Sequence, residues 1–450
     1  MSPVETRPLE RVLLVGAYLR AADPARSEES FAELERLTET AGGLVVDRIV
    51  QRLERYHPGT LLGSGKIEEI ARAVRAARAR TVIVDRDLSP AQQKTLEREL
   101  DAKIIDRTRL ILDIFARRAR TREGELQVEL AQLSYMLPRL TGSWRGFSQQ
   151  VGGIGTRGPG ERKLEYERRH IQLRISHLKN DIERVRRQRA VQRRRRLSIP
   201  VPSVAIIGYT NVGKSSLLNA LIRMSDSARE ERTKAAGAAR PSNRALVYAD
   251  DKLFATLDPT TRRVRLPQGG WAVFTDTVGF ISNLPTALVA AFRSTLEEVL
   301  EADCVLILED ASSPEAQAQR ATVEGVLREL GADGIPRLAA ANKSDVLDAG
   351  RRAALEREDR LLVSAKTGAG LEALLEGVQG VLNHRWLLRE AVVEPDGALI
   401  DFLHRSAQVL ELRPEGGRLN ARLRVTRENW SRILHRLGNP APGTPPGIPE

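Results

Sequence analysis

The chain has 450 residues, 41% of them hydrophobic, enough for about three domains with cores of their own. No window approaches eighteen uninterrupted apolar residues, the opening MSPVETRPLE lacks the apolar run of a secretory leader, and a lone cysteine, Cys304, excludes an intramolecular disulfide or a cysteine-built zinc cluster. A soluble cytoplasmic chain is therefore expected, with peripheral membrane association left open, and its formal net charge of +12 directs attention to where the excess lies.

The first hundred residues alternate short apolar runs with helical patterns. Arg11 to Gly16, Gly43 to Val46, Thr81 to Asp85 and Lys103 to Asp106 read as strands. Phe31 to Ala41, Ile67 to Ala79 and Ser89 to Leu100 read as helices, the last capped by Ser89. Residues 1–115 thus form an N-terminal α/β domain. Gly63-Ser-Gly-Lys66 precedes a helix but lacks the upstream glycine of a full phosphate loop, so it reads as a turn, with an additional ATPase site as the sharper alternative.

Residues 116–197 hold 21 Lys/Arg against 8 Asp/Glu, so this one segment carries the whole basic excess. Leu126, Leu130, Leu133, Leu137 and Leu140 repeat at heptad spacing, as do Ile171, Ile175, Leu178, Ile182 and Val185. Between them residues 141–160 contain seven glycines, too many for a helix to continue. The expectation is a basic helical coiled-coil hairpin whose tip projects ~35–40 Å. The tip carries Trp144, Arg145, Phe147 and Arg157, stacking and phosphate-contact side chains suited to unpaired RNA. A solvated charged helix pair with a folded-back loop is the plainer reading, and Arg193 to Arg196 serve equally as an RNA contact or a linker.

From Ser203 strands alternate with helices, the pattern of a parallel sheet with crossover helices. Strands are expected at Val204 to Ile207, Trp271 to Asp276, Cys304 to Leu308, Arg337 to Ala341 and Leu361 to Val363, with a helix at Ser215 to Ile222. Residues 198–388 form this domain and 389–450 a small α+β module whose tail, Asn439 to Glu450, is too proline-rich to fold.

Gly208-Tyr209-Thr210-Asn211-Val212-Gly213-Lys214-Ser215 follows a strand and opens a helix, the context of a phosphate loop. Its glycines let backbone N–H groups wrap phosphates, Lys214 reaches the β and γ phosphates, and the Ser215 hydroxyl can ligate Mg²⁺. Asp276-Thr277-Val278-Gly279 places an acid near the magnesium shell and leaves the Gly279 N–H for the γ-phosphate. In Asn342-Lys343-Ser344-Asp345 the Asp345 carboxylate can accept from guanine N1–H and the exocyclic amine, which adenine cannot supply. Ser364-Ala365-Lys366 then offers a backbone N–H to the guanine carbonyl. Four such motifs in order define a guanine-nucleotide switch of Ras-like architecture, with Lys214, Asp276 and Gly279 as its catalytic candidates and GTP as substrate. Phe280 stands where the Ras-like scheme often carries a water-orienting glutamine, so slow intrinsic hydrolysis is expected. Asn211 resembles the asparagine of potassium-activated GTPases, which makes K⁺ a candidate cofactor beside Mg²⁺.

Gly155-Thr-Arg-Gly-Pro-Gly-Glu161, followed by Leu164, Glu165, Arg168 and Arg169, resembles the signature of the HflX family of ribosome-associated GTPases. Phe254 to Arg262, Asp276 to Phe280 and Gly397 to Phe402 are similar to its switch regions and the opening of its C-terminal module. The resemblance implies a GTPase that binds the large ribosomal subunit and its rRNA with the N-terminal domain and hairpin, and splits or rescues stalled ribosomes; a monomer is expected. It also places Phe254-Ala255-Thr256-Leu257-Asp258 at switch I, with Thr256 as a magnesium ligand beside Ser215 and with Thr260 or Thr261 as the alternative. Residues 223–244 depart from the family and read as a disordered insertion. The rival readings are a GTP-controlled RNA-binding module that splits nothing and a signalling switch whose hairpin meets a protein or membrane.

Overall fold

The computed structural model describes residues 9–140, 159–196, 201–235, 259–281, 298–358 and 360–437. The expectations for the tip residues Trp144, Arg145, Phe147 and Arg157, for residues 254–258 and for the C-terminal tail lie outside them. Contacts divide the chain into two units, one essentially up to Val185 and one essentially from Arg186, each taken by itself below.

In the first unit β1 (Glu10–Leu19), β2 (Gly43–Leu53), β3 (Thr81–Val84) and β4 (Lys103–Asp106) form a parallel sheet in the order β2-β1-β3-β4. The continuous apolar run of β1 reflects burial on both faces, which a central parallel strand requires. Around the sheet lie α1 (Pro24–Thr40), α2 (Ser64–Ala77), α3 (Pro90–Leu100) and α4 (Arg107–Arg118), and Leu13, Ile70, Val82 and Leu96 meet in one apolar core. Ser89 caps α3 as expected, in a reciprocal box with Gln92. Helix α1 starts about two turns earlier than its apolar periodicity, because Asp23 accepts from the Ala25 N–H and Pro24 fits the first turn. Strand β2 outruns the expected Gly43 to Val46, and α4, which apolar spacing did not reveal, is capped by the Asp106 carboxylate.

The same unit holds α5 (Arg122–Leu140) and the first part of α6 (Pro159–Arg196). Leu126 packs with Leu178 and Ile182, with Leu130, Leu133 and Val185 alongside, and Arg174 grips Glu129 through Nε and Nη2 at 2.7 and 2.9 Å. As the α5 number rises the α6 number falls, so the pair is antiparallel and the heptad seam is real at these positions. The projection expected of the tip lies outside the described residues, whereas α5 itself packs closely. Glu123, Gln127 and Val128 are buried, and at the far end of α5 Tyr135 and Arg139 bond to Asp106 at the end of β4. The 19-residue α5 therefore runs ~28 Å along its own domain.

In the second unit β5 (Ser203–Gly208), β6 (Thr260–Arg265), β7 (Trp271–Asp276), β8 (Cys304–Asp310), β9 (Arg337–Asn342) and β10 (Leu361–Leu362) form a sheet in the order β10-β9-β8-β5-β7-β6, with β6 alone antiparallel to its neighbour. Helices α7 (Lys214–Ala235), α8 (Ala316–Glu329), α9 (Ala349–Arg357) and α10 (Leu371–Leu382) belong to it. Helix α7 does not stop at Ile222 but continues to Ala235, so the beginning of the expected disordered insertion is helical. Residues 223–235 contain neither glycine nor proline, and nothing in them breaks a helix once started.

Downstream, β11 (Trp386–Val393), β12 (Gln408–Glu415) and β13 (Arg418–Thr426) form an antiparallel sheet in the order β11-β13-β12. With α11 (Gly397–Ser406) and α12 (Arg427–Arg436) it buries Leu403, Leu423, Val425 and Ile433, the α+β module expected. The fold is thus multidomain α/β. Among the described residues no helix is long and apolar enough to cross a membrane.

Candidate functional site

Strand β5 lies between β7 and β8 and ends at Gly208, where a Cβ would stand 2.3 Å from the Leu308 carbonyl oxygen. Only glycine lets the chain leave the sheet so close to its neighbour. Asn211 takes φ 62°, a conformation asparagine tolerates better than most residues, and Gly213 takes φ 90° immediately before α7. The turn therefore ends on the first free N–H groups of a long helix, where backbone donors and the helix dipole favour an anion.

This turn is held from two sides. Thr210 N–H donates to the Phe280 carbonyl at 2.7 Å, and Phe280 N–H donates to the Gly208 carbonyl at 3.1 Å. From the other side Asn342, at the end of β9, donates Nδ2–H to the Val212 carbonyl at 2.8 Å while its Oδ1 accepts from Ala365 N–H at 2.9 Å. One amide thus ties the loop at 208–215 to the loop at 364–366.

Lys214 is buried, its Nζ donating to the Tyr209 and Gly208 carbonyls at 2.9 and 3.2 Å. Burial pulls its pKa down to about 8, against the opposing pull of Asp276. Asp276 is fully buried at the end of β7 and accepts from Ser215 Oγ at 2.6 Å. Thr277 turns its hydroxyl inward to the Ile206 carbonyl at 2.7 Å. At Gly279 a Cβ would lie 2.8 to 2.9 Å from Thr210 and from Lys214 Nζ, so this segment passes directly over the loop.

On the far side Asp345 Oδ1 accepts from Ser364 Oγ at 2.6 Å, and that hydrogen bond holds its pKa below the ordinary carboxylate value. Lys343, at φ 65°, pairs with Asp310 at 2.7 Å, and Ser344 N–H donates to the Val363 carbonyl at 3.1 Å. One residue, Asp310, and the backbone role of another, Phe280, escaped sequence reading. Asp310 closes β8 and steadies Lys343, and Phe280 serves through its backbone; the acid ending a buried strand was the only available signal for the first.

Structure brings together residues 208–215, 276–279, 342–345 and 364–366 at the carboxyl ends of β5, β7, β9 and β10, where open parallel sheets bind ligands. Thr260 and Thr261 fall within β6 opposite Asp276 and Thr275, and the Thr261 hydroxyl lies 3.2 Å from that of Thr275. Gly63 to Lys66 stands in the other unit, with Gly63 N–H on Gln51 and Lys66 paired with Glu69 at 2.7 Å. Ser215 and Asp276 set two hard oxygen donors side by side, a pair that suits Mg²⁺ completed by phosphate oxygens and water.

A glycine turn between the central strand of a parallel sheet and a long helix, with an acid at the end of the adjoining strand, is the framework of a P-loop GTPase. Three family descriptions match in succession: "GTP-binding GTPase N-terminal" over residues 28–116, "GTP-binding GTPase Middle Region" over 118–196 and "50S ribosome-binding GTPase" over 203–343. A GTPase HflX of Lacrimispora saccharolytica is 44% identical over 406 residues, 89% of this chain and 90% of its own length. That of Escherichia coli K12 is 39% identical over 94% of this chain and 95% of its own. A GTP-binding protein of Sulfolobus solfataricus, solved with GDP, aligns over 83% of this chain and 99% of its own at 21% identity and a TM-score of 0.42. The chain belongs to the HflX family of GTPases, and GTP is its substrate.

Proposed function

We propose that this GTPase binds the large ribosomal subunit and uses the GTP cycle to split or rescue stalled ribosomes. The basic helix pair rooted on the N-terminal domain at Asp106 carries the reading, because α5 and α6 together hold a positive excess suited to a polyanion. The family description "50S ribosome-binding GTPase" over residues 203–343 supports the choice of partner. The division of labour follows the domains expected above: 1–115 and 116–197 meet the rRNA, and 198–388 reads the nucleotide, with 389–450 as a separate small module.

Within the site, the N–H groups of 208–215 wrap the phosphates, and Lys214 exchanges its loop carbonyls for phosphate oxygens. Ser215, Asp276 and Thr256 would hold Mg²⁺, which would supply charge neutralisation for the nucleotide phosphates. Gly279 N–H receives the γ-phosphate, and Asp345, kept ionised by Ser364, accepts from guanine while Ala365 N–H donates to its carbonyl. Asn211 would help to hold K⁺; equal turnover in K⁺ and Na⁺ at matched ionic strength rules that out. Phe280 supplies no water-orienting group, so turnover waits for the ribosome.

GTP turnover with and without large subunits, with ribosome light scattering read in parallel, tests the proposal. Strong stimulation accompanied by subunit dissociation is expected. Stimulation without dissociation favours a GTP-controlled RNA binder, and no stimulation removes the ribosome as partner.

A further inference from the structure

Strand β10 is two residues long and pairs with β9 alone, Leu361 beside Ala340 and Leu362 beside Ala341. It leads at once into the loop 364–366, through Val363, whose N–H donates to the Ala341 carbonyl at 2.9 Å and whose carbonyl accepts from Ser344 N–H at 3.1 Å. A strand with so short a ladder is held weakly by its backbone bonds and needs a further restraint to keep one position.

That restraint comes from β8. Glu309, buried on β8, accepts from Arg360 Nη2 at 3.0 Å and from Arg320 Nη1 of α8 at 3.1 Å, and Arg360 is the residue immediately before β10. Strand β9 lies between them, so the Glu309–Arg360 pair spans two strand spacings, roughly 10 Å. Glu309, Ala341 and Leu362 stand in one row across the sheet, and period-two alternation sets Ala339 and Arg360 on the same face. The two alanines leave the guanidinium room to pass over β9, which larger side chains would block. Burial pushes the Glu309 carboxyl up, and Arg360 and then Arg320 pull it back towards ionisation. Arg320 also binds Glu324 at 2.8 Å, whereas the other carboxylate near Arg360 among the described residues is the exposed Glu358 at 3.7 Å.

We propose that Glu309 and Arg360 are positioning residues for base recognition, the ion pair across β9 fixing the strand that delivers the loop 364–366 to Asp345 and Asn342. Two bonds depend on that delivery: Ser364 Oγ–H to Asp345 Oδ1 at 2.6 Å and Ala365 N–H to Asn342 Oδ1 at 2.9 Å. A charged pair fits one placement of the strand and loses its bonds in any other, a directionality that apolar packing lacks. Without it the loop shifts against Asp345 even where the core stays filled. The phosphate end is spared, because Lys214 bonds to the Gly208 and Tyr209 carbonyls and Ser215 to Asp276, none of which touches the pair. This inference rests on the base site proposed above.

Full-length Arg360→Met and Glu309→Gln, followed in steady-state GTP turnover, test it. KM for GTP should rise about tenfold while kcat at saturation stays within about twofold, because contacts to the base hold ground state and transition state alike. An unchanged KM, or a fall in kcat without a rise in KM, in a variant that melts like wild type overturns the proposal. Should a single variant unfold, Glu309→Leu combined with Arg360→Met fills the same space without charge, leaves Arg320 on Glu324, and decides by the same split. Asp345→Ala is measured alongside. A raised KM there with a wild-type KM in Arg360→Met refutes the ion pair alone, and an unchanged KM in Asp345→Ala refutes the base site on which it rests.

Discussion

The Asn342 amide nitrogen lies 2.4 Å from where a Cβ on Gly213 would be, so the end of β9 and the phosphate turn are fitted against each other without room for a methyl group. Asn342 therefore acts as a tie between two loops.

Asn342→Ala removes the bonds to the Val212 carbonyl and the Ala365 N–H and leaves both groups short of a partner. At about 1–3 kcal/mol for a buried group left unpaired, GDP affinity should fall by roughly 10–100-fold. Calorimetric titration with GDP measures this; a loss below threefold would show that the tie is dispensable.

Gly279→Ala places a methyl group against Thr210 and Lys214 Nζ. GTP turnover should drop by at least ~100-fold, with a smaller loss of GDP affinity, because the segment crosses the loop on the γ-phosphate side. Single-turnover hydrolysis set against GDP titration separates the two.

Nucleotide binding should weaken as pH rises through about 8. Burial lowers the Lys214 pKa, and the ammonium is the form that attracts phosphate, so competence is complete below that value and lost above it. Between pH 7.5 and 9 the protonated fraction falls roughly eightfold, and the dissociation constant for GDP should rise accordingly. A flat profile would place the ammonium pKa well above 9.

The Asp106 carboxylate accepts from Leu88 N–H, Arg109 N–H, Tyr135 Oη–H and Arg139 Nη2–H at 3.2, 2.9, 2.7 and 3.0 Å. Asp106→Ala strands all four donors and should cost ~3–5 kcal/mol in denaturant unfolding of the first unit. Tyr135→Phe, losing one bond, should cost ~1 kcal/mol. Unstimulated GTP turnover should be the same in both, and a parallel loss would show that turnover depends on the hairpin root.

Deleting residues 142–159 should leave unstimulated turnover unchanged and weaken sedimentation with large subunits. Wild-type co-sedimentation would clear the tip of any role.

The sequence carried the parts of this fold that depend on neighbours along the chain. Gly208 to Ser215 betrayed its turn because glycine, lysine and serine are required at fixed spacing, and Leu126, Leu178 and Ile182 betrayed a seam by heptad periodicity. Contacts between distant segments were hidden. Nothing around Asn342 announces that it binds Val212, 130 positions away, and nothing around Tyr135 names Asp106 as its acceptor. Helix α7 was cut short because Ser225 and its polar neighbours resemble a loop in composition, whereas Ser225 is buried and accepts from Arg265. Heptad spacing describes one face of a helix and is silent about the face that docks, so the packing of α5 on its own domain was not legible.

In the N-terminal sheet the acids at the strand ends are already engaged. Asp85 binds Arg107 and Ser30, Arg107 also binds Glu33, and Asp106 is occupied as described. A survey for catalytic carboxylates would select both, since acids at the ends of parallel strands are where such searches look first. Mutational scanning should place Asp85 and Asp106 among the hydrophobic core instead, their substitutions depleting soluble protein while sparing turnover per folded molecule.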